Sequence, residues 1–273
     1  MLTRNALGNL INRYKAVLGK CRLLNVFGSL AVAGMLVAGG AGIAAATEIE
    51  ISADTNVGGM TPSYLENDGA QFKADVKLTI DNDATAKHVI TATDNTGTID
   101  IGSAYTLTVT DNIGASGAVI KAITGAGNLV AGGDVTAKAL TLSGTTGAST
   151  IGGTLTLTDG TSSVKNLTTL GGLNNKAAST LTVAAGELVL NGSASFANAG
   201  TLKVGSSGSR ATLDLRGATV TNTGTITVDG KSGGSAIPSD NYATLNITSL
   251  QLAALHAEDG KLNVGGSEGG FVH

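Results

Sequence analysis

Between Ser179 and Gly230, apolar and polar residues alternate in short runs separated by glycine-bearing turns. The runs read S-T-L-T-V-A-A-G-E-L-V-L-N-G from Ser179, N-A-G-T-L-K-V from Asn198 and N-T-G-T-I-T-V from Asn222. Alternation at period two places Leu202 with Val204, and Ile226 with Val228, on one face of a strand, with Thr or Lys on the other. One such strand cannot bury its apolar face alone, so many must stack. Apolar residues two apart recur along the chain, from Val76-Leu78-Ile80 through Ile99-Ile101, Leu107-Val109, Leu140-Leu142 and Leu155-Leu157 to Leu245-Ile247 and Leu262-Val264. A glycine precedes many of these pairs by two residues, at Gly97, Gly153, Gly186, Gly200, Gly224 and Gly260, and Gly127 stands so before Leu129. A tight corner that needs positive φ is the expected reason.

This pattern predicts an all-β protein: a right-handed parallel β-helix, or solenoid, of irregular short strands. The glycines are unevenly spaced, from 14 residues (Gly186 to Gly200) to 36 (Gly224 to Gly260), which suits coils with loops of different length. Coils of about 20 residues would give about ten turns. An antiparallel sandwich is the alternative, and would use evenly spaced Asn-Gly hairpins; Asn191-Gly192 is the one such dipeptide. Gln251 to Glu258 is the one later stretch that predicts helix, capped by Ser249 and ended by Gly260.

Composition narrows the class. Of 273 residues 40 are Gly, 14% are charged and 3% aromatic, so aliphatic rows rather than aromatic anchors must build the core. Five basic residues, Arg4, Arg13, Lys15, Lys20 and Arg22, precede the first acidic residue, Glu48. The remainder holds 12 basic against 20 acidic residues, which argues against nucleic acid or an anionic membrane surface as partner of the main domain.

The basic start is followed by an uncharged stretch, Leu23 to Ala46, ending Ala44-Ala45-Ala46. Small residues at Ala44 and Ala46 fit an Ala-x-Ala cleavage site, with the cut before Thr47; a retained membrane anchor is the alternative, since the stretch is long enough to span a bilayer. The expected organisation is a signal segment over 1–46, read as helical, an N-terminal cap or leader over 47–71, and the β-helix over 72–273. Cys21 would leave with the signal.

The order I-N-R-Y-K-A-V-L-G-K-C-R-L-L-N-V-F-G-S-L-A-V-A (Ile11 to Ala33) resembles the extended signal peptides of bacterial type V autotransporters. The motif N-x-G-[TK]-[LI]-x-V, at Asn198 and Asn222 and in weaker form at Asn95 and Glu258, resembles the strand repeats of their passengers. The resemblance implies export from a Gram-negative cell to the surface or medium, or to the periplasm where no translocator is available. It implies an adhesin-like or structural role, with host or bacterial surface glycans or proteins as partners. The membrane would be met only through the signal segment. Complete members carry a translocator barrel in the outer membrane, built of about 12 strands with aromatic girdles. This chain ends S-E-G-G-F-V-H without that pattern. The expectation is either a passenger that relies on a separate translocator or a passenger fragment of a truncated gene, the latter allowing an inert fragment as the alternative to adhesion.

No catalytic constellation emerges from the sequence. His88, His256 and His273 stand apart from one another, no zinc spacing is present, and no cofactor is expected. β-Helix enzymes that cleave acidic polysaccharides gather Asp with Lys or Arg on adjacent coils. Asp81, Asp83 and Asp94, with Lys87 and His88 between, are the one local group able to imitate this; as turn formers they are also expected in polar corners. Asp214 and Arg216 are expected to pair on the surface.

Overall fold

The computed structural model describes residues 48–60, 62–144, 147–169, 171–205, 210–229, 243–255, 260–264 and 270–272. The expected signal segment, with Ala44, Ala46 and Thr47, lies outside them, as do His256, Glu258 and His273.

Among the described residues every ladder between strands is parallel, which excludes the antiparallel sandwich. The strands form a parallel β-solenoid of about 8 turns. One row of register partners runs its length: Ile49, Ala70, Val89, Ile113, Val135, Leu155, Leu173, Phe196 and Val220. The interval between successive partners is shortest from Leu155 to Leu173, and longest from Val89 to Ile113 and again from Phe196 to Val220. The coils are on average longer than the sequence pattern implied, and the turns correspondingly fewer.

Each coil contributes strands to three sheets. The first stacks Leu78, Ile99, Ile123 and Leu140, then Leu181, Leu202, Ile226 and Leu262. Buried Ser162 interrupts this row beneath Leu181, and its hydroxyl accepts the Leu140 N–H at 2.9 Å, so the insertion leaves no orphaned group there. The second sheet stacks Leu107 on Leu129, and Leu167, Leu188, Leu213 and Leu245 on one another. The third is the row from Ile49 to Val220. Strands Thr154–Thr169 and Gly172–Leu190 bend around the corners without a break, which joins most strands into one hydrogen-bonded sheet. Inward Leu, Ile and Val side chains of all three sheets meet in a single core, each contributing about 1.5 to 3 kcal/mol.

In both terminal coils a helix takes the place of a strand. Helix α1 (Pro62–Asp68) follows Thr55–Asn56 and precedes Ala70–Phe72, and its Leu65 carbonyl accepts the N–H of Lys87 beside the strand Ala84–Ala86. The 47–71 region, expected as a cap or leader, thus contains strand Ile49–Ile51 paired with Ala70–Phe72, and the helix lies over a sheet edge that would otherwise be open. Helix α2 (Ser249–Leu255) covers the last strand of the third sheet. Its cap differs from expectation: Thr248, not Ser249, takes the position. Thr248 N–H donates to Gln251 Oε1 at 2.8 Å and Gln251 N–H donates back to Thr248 Oγ1 at 3.3 Å, a reciprocal capping box. Gln251 then turns its amide inward to the carbonyls of Leu215 and Ala218.

The glycines that precede the strand pairs serve two different ends. Gly97 (φ 80°) and Gly186 (φ 66°) meet the expectation of positive φ. At Gly127, Gly153, Gly200, Gly224 and Gly260 φ lies outside the left-handed region, and the constraint is the coil next door. A Cβ on Gly224 would overlap the carbonyl oxygen of Gly200, and one on Gly200 would overlap the carbonyls of Lys176 and Ser179. Gly224→Ala is therefore expected to lose about 1 to 3 kcal/mol by overpacking. Gly59→Ala, where a Cβ meets nothing within 4 Å, is the control in the same thermal melt.

Candidate functional site

Asp and Asn side chains at the corners form an inter-coil bracing system. Asp54 accepts the Lys77 N–H at 2.8 Å, Asp81 the Gly58 N–H at 2.7 Å and Asp83 the Thr106 N–H at 2.8 Å. Further along, Asp94 accepts Val119 N–H, Asn112 accepts Asp134 N–H, and Asp134 accepts Thr154 N–H, at 2.7 to 2.8 Å. Each carboxylate or amide oxygen reaches one coil away, to a backbone donor that the sheets leave unpaired at the bend.

The structure does not bring the Asp81, Asp83 and Asp94 group together. Asp81 and Asp83 lie at the bend between strands Lys77–Ile80 and Ala84–Ala86. Lys87 and His88 lie at the next bend, and Asp94 at the one after, before strand Thr96–Ile101. The three bends are different corners of the solenoid, and His88 faces Glu48 with Nε2 3.4 Å from Oε1. Asp214 does pair with Arg216: Nε approaches Oδ1 at 3.0 Å, and the guanidinium holds the Asp214 carboxyl below its ordinary pKa.

Inside the solenoid, three buried asparagines stack: Asn175 Nδ2 donates to Asn198 Oδ1 at 2.7 Å, and Asn198 Nδ2 to Asn222 Oδ1 at 2.8 Å. Asn222 Nδ2 closes the series on the Leu255 carbonyl of α2 at 3.1 Å. Asn198 and Asn222 are the first residues of the repeat motif; Asn175 lies outside it, and the motif Asn at 95 sits in a turn instead, at φ 60°. The near-equal spacing of the three asparagines, 23 and then 24 positions, matches the coil length and was the available signal.

Near Asp94 the chain leaves the solenoid and makes a small finger. Ala115 and Ala118 exchange two backbone hydrogen bonds of 3.0 Å around Ser116 and Gly117, the latter at φ 79°. Its return limb is clamped at Val119, whose N–H donates to Asp94 Oδ1 and whose carbonyl accepts the Asn95 N–H at 2.9 Å. Finger and solenoid together enclose an open groove of about 560 Å³. Ser116 and Gly117 form one wall. Thr136, Thr156 and Asn174, register partners on three successive coils, form the floor. They lie about 4.8 Å apart, the spacing of hydrogen-bonded strands. Asp94 and Asn95 lie at one end, and Val119, Thr158, Asp159 and Lys176 complete the lining.

No family model, curated protein or solved structure matches this chain. The groove must speak for itself.

Its volume falls within the range of ligand clefts, about 300 to 1,000 Å³. Its lining is mainly hydroxyl and amide groups, which both donate and accept, with Val119 the one sizeable aliphatic side chain. Asp159 is held by Lys138 Nζ at 2.9 Å and by the Gly160 N–H, and the Lys138 ammonium keeps its carboxyl below the usual range. Asp94 spends one oxygen on Val119 and the other on the Asn95 amide at 3.0 Å. Such an arrangement is suited to bind a polyhydroxylated molecule across several coils. Its residues lie far apart in the sequence and meet only through the stacking of unequal coils, so alternation alone did not reveal it.

Proposed function

We propose that this chain is an exported, surface-displayed solenoid that adheres to glycans through the groove beside the Ser116-Gly117 finger. The observation that carries the reading is the floor itself: Thr136, Thr156 and Asn174 repeat hydrogen-bonding groups at strand spacing, beneath a wall clamped in place by Asp94 and Asn95. The resemblance of Ile11 to Ala33 to extended autotransporter signals supports export, and a translocator barrel in the outer membrane is the partner it implies. Adhesion is favoured over polysaccharide cleavage because Asp81, Asp83 and Asp94 lie at separate corners and each brace a neighbouring coil.

Filling the groove tests this. Thr156 faces outward between Thr136 and Asn174, so Thr156→Phe adds bulk over the floor without entering the core. Binding of the variant to an array of immobilised oligosaccharides is expected to fall at least about tenfold, equivalent to 1.4 kcal/mol, with the melting temperature unchanged. Unchanged glycan binding would remove the groove from the adhesive surface.

A further inference from the structure

Resting on the glycan reading, we propose that the groove is polarised and selects an oligosaccharide that carries one acidic residue at its Lys176 end and neutral residues beyond it. The charges fix the direction. Lys138 and Asp159 neutralise each other at 2.9 Å. Lys176, exposed and without an ion-pair partner among the described residues, remains as a free cation. Asp94 is the remaining carboxylate of the lining, and its oxygens already accept hydrogen bonds from Val119 N–H and the Asn95 amide. A carboxylate placed near Asp94 meets like charge, whereas sugar hydroxyls there find acceptors. At Lys176 a carboxylate gains a charge-assisted hydrogen bond.

The surroundings sharpen the selection. From Glu48 onward the chain carries 20 acidic residues against 12 basic ones, a background that repels polyanions. A polymer acidic at every residue would therefore set charge against Asp94 and against the surface at large. A chain with a single acidic terminus places its charge where the cation stands and its hydroxyls over Thr156 and Thr136. The lining suits sugar: Thr136, Thr156, Thr158 and Asn174 set hydroxyl and amide groups beside threonine methyls and Val119, with no aromatic or leucine-sized pocket for a peptide side chain.

The experiment is calorimetric titration of the full mature chain with three short oligosaccharide probes. These are sialyl-lactose, with one acidic terminus; lactose, its neutral remainder; and a tri-uronic acid, charged at each residue. Sialyl-lactose is expected to bind about tenfold more tightly than either of the others. Lys176→Gln should erase that advantage, bringing the affinity for sialyl-lactose down to that for lactose in the same variant, and Lys176→Arg should retain it. Equal affinity for sialyl-lactose and lactose, a preference for the tri-uronic acid, or an unaltered preference in Lys176→Gln overturns the acidic-end assignment while the glycan reading stands. Binding of none of the three sugars, with a protein ligand instead displaced by Thr156→Phe, overturns both.

Discussion

Leu202→Asp is expected to uncouple the coils on either side of residue 202, whereas Thr201→Asp, one residue away, leaves them joined. Leu202 is fully buried between Leu181 and Ile226 in the first sheet. A carboxylate there faces aliphatic neighbours above and below and has no partner. The penalty exceeds about 4 kcal/mol, through lost apolar burial and an unpaired buried charge. Thr201 stands in the outward row between Thr180 and Thr225, where a new carboxylate keeps its water and changes stability by no more than about 0.5 kcal/mol. A solenoid is held by nearest-neighbour interfaces, so the damage has an address. Hydrogen exchange in Leu202→Asp is expected to accelerate first in Thr180 to Val183 and Thr225 to Val228, with Lys77 to Ile80 still protected. Equal losses of melting temperature in the two variants would refute the inward placement of Leu202.

That contrast was legible in the sequence because side-chain direction in a strand depends only on parity. The same logic carried the aliphatic rows, the all-parallel solenoid and the pairing of Asp214 with Arg216. What depends on stacking was not legible. The glycines before the strand pairs look alike in sequence, yet Gly97 and Gly186 answer to positive backbone φ as well as to the Phe72 and Asn166 side chains of the neighbouring coil, while Gly200 and Gly224 answer to neighbouring carbonyls. Asp81, Asp83 and Asp94 are close in sequence and were grouped for that reason. The chain passes through every corner of a coil before it returns to its register partner, so near neighbours in sequence face different ways while residues one coil apart touch. The groove floor follows from this: Thr136, Thr156 and Asn174 are unequally spaced along the chain, and their alignment is visible only once the register is fixed. The helix at α2 was readable from its Leu and Ala residues, but its cap fell to Thr248 because Gln251 completes a reciprocal pair there.

The buried asparagine series gives the other large effect, and one with a distinctive pH dependence. Asn198 is 2% exposed and serves both neighbours, accepting from Asn175 and donating to Asn222. Asn198→Leu removes both partners. Asn222 Oδ1 loses its donor, and Asn175 Nδ2 keeps only the Thr201 carbonyl at 3.1 Å. With about 1 to 3 kcal/mol for each buried group left short, the variant is expected to lose about 2 to 4 kcal/mol. Asn198→Asp separates the amide hydrogen bonds from simple volume. As a carboxylate it still accepts from Asn175, but it sets a negative oxygen against Asn222 Oδ1 in a dry interior. Burial and that contact favour the protonated form, so its folded pKa lies above the ordinary Asp value of about 3.9. A group whose pKa is raised by folding contributes fully below the unfolded pKa and loses its contribution as pH rises through the folded one. The carboxylic acid can also donate to Asn222 Oδ1, as the native amide does. The melting-temperature deficit of Asn198→Asp relative to wild type should therefore be large at pH 7, shrink as pH falls through the raised folded pKa, and level off at its smallest below about pH 4, while that of Asn198→Leu stays level throughout. A deficit in Asn198→Asp that does not change with pH would mean that donation to Asn222 is not what holds these coils in register.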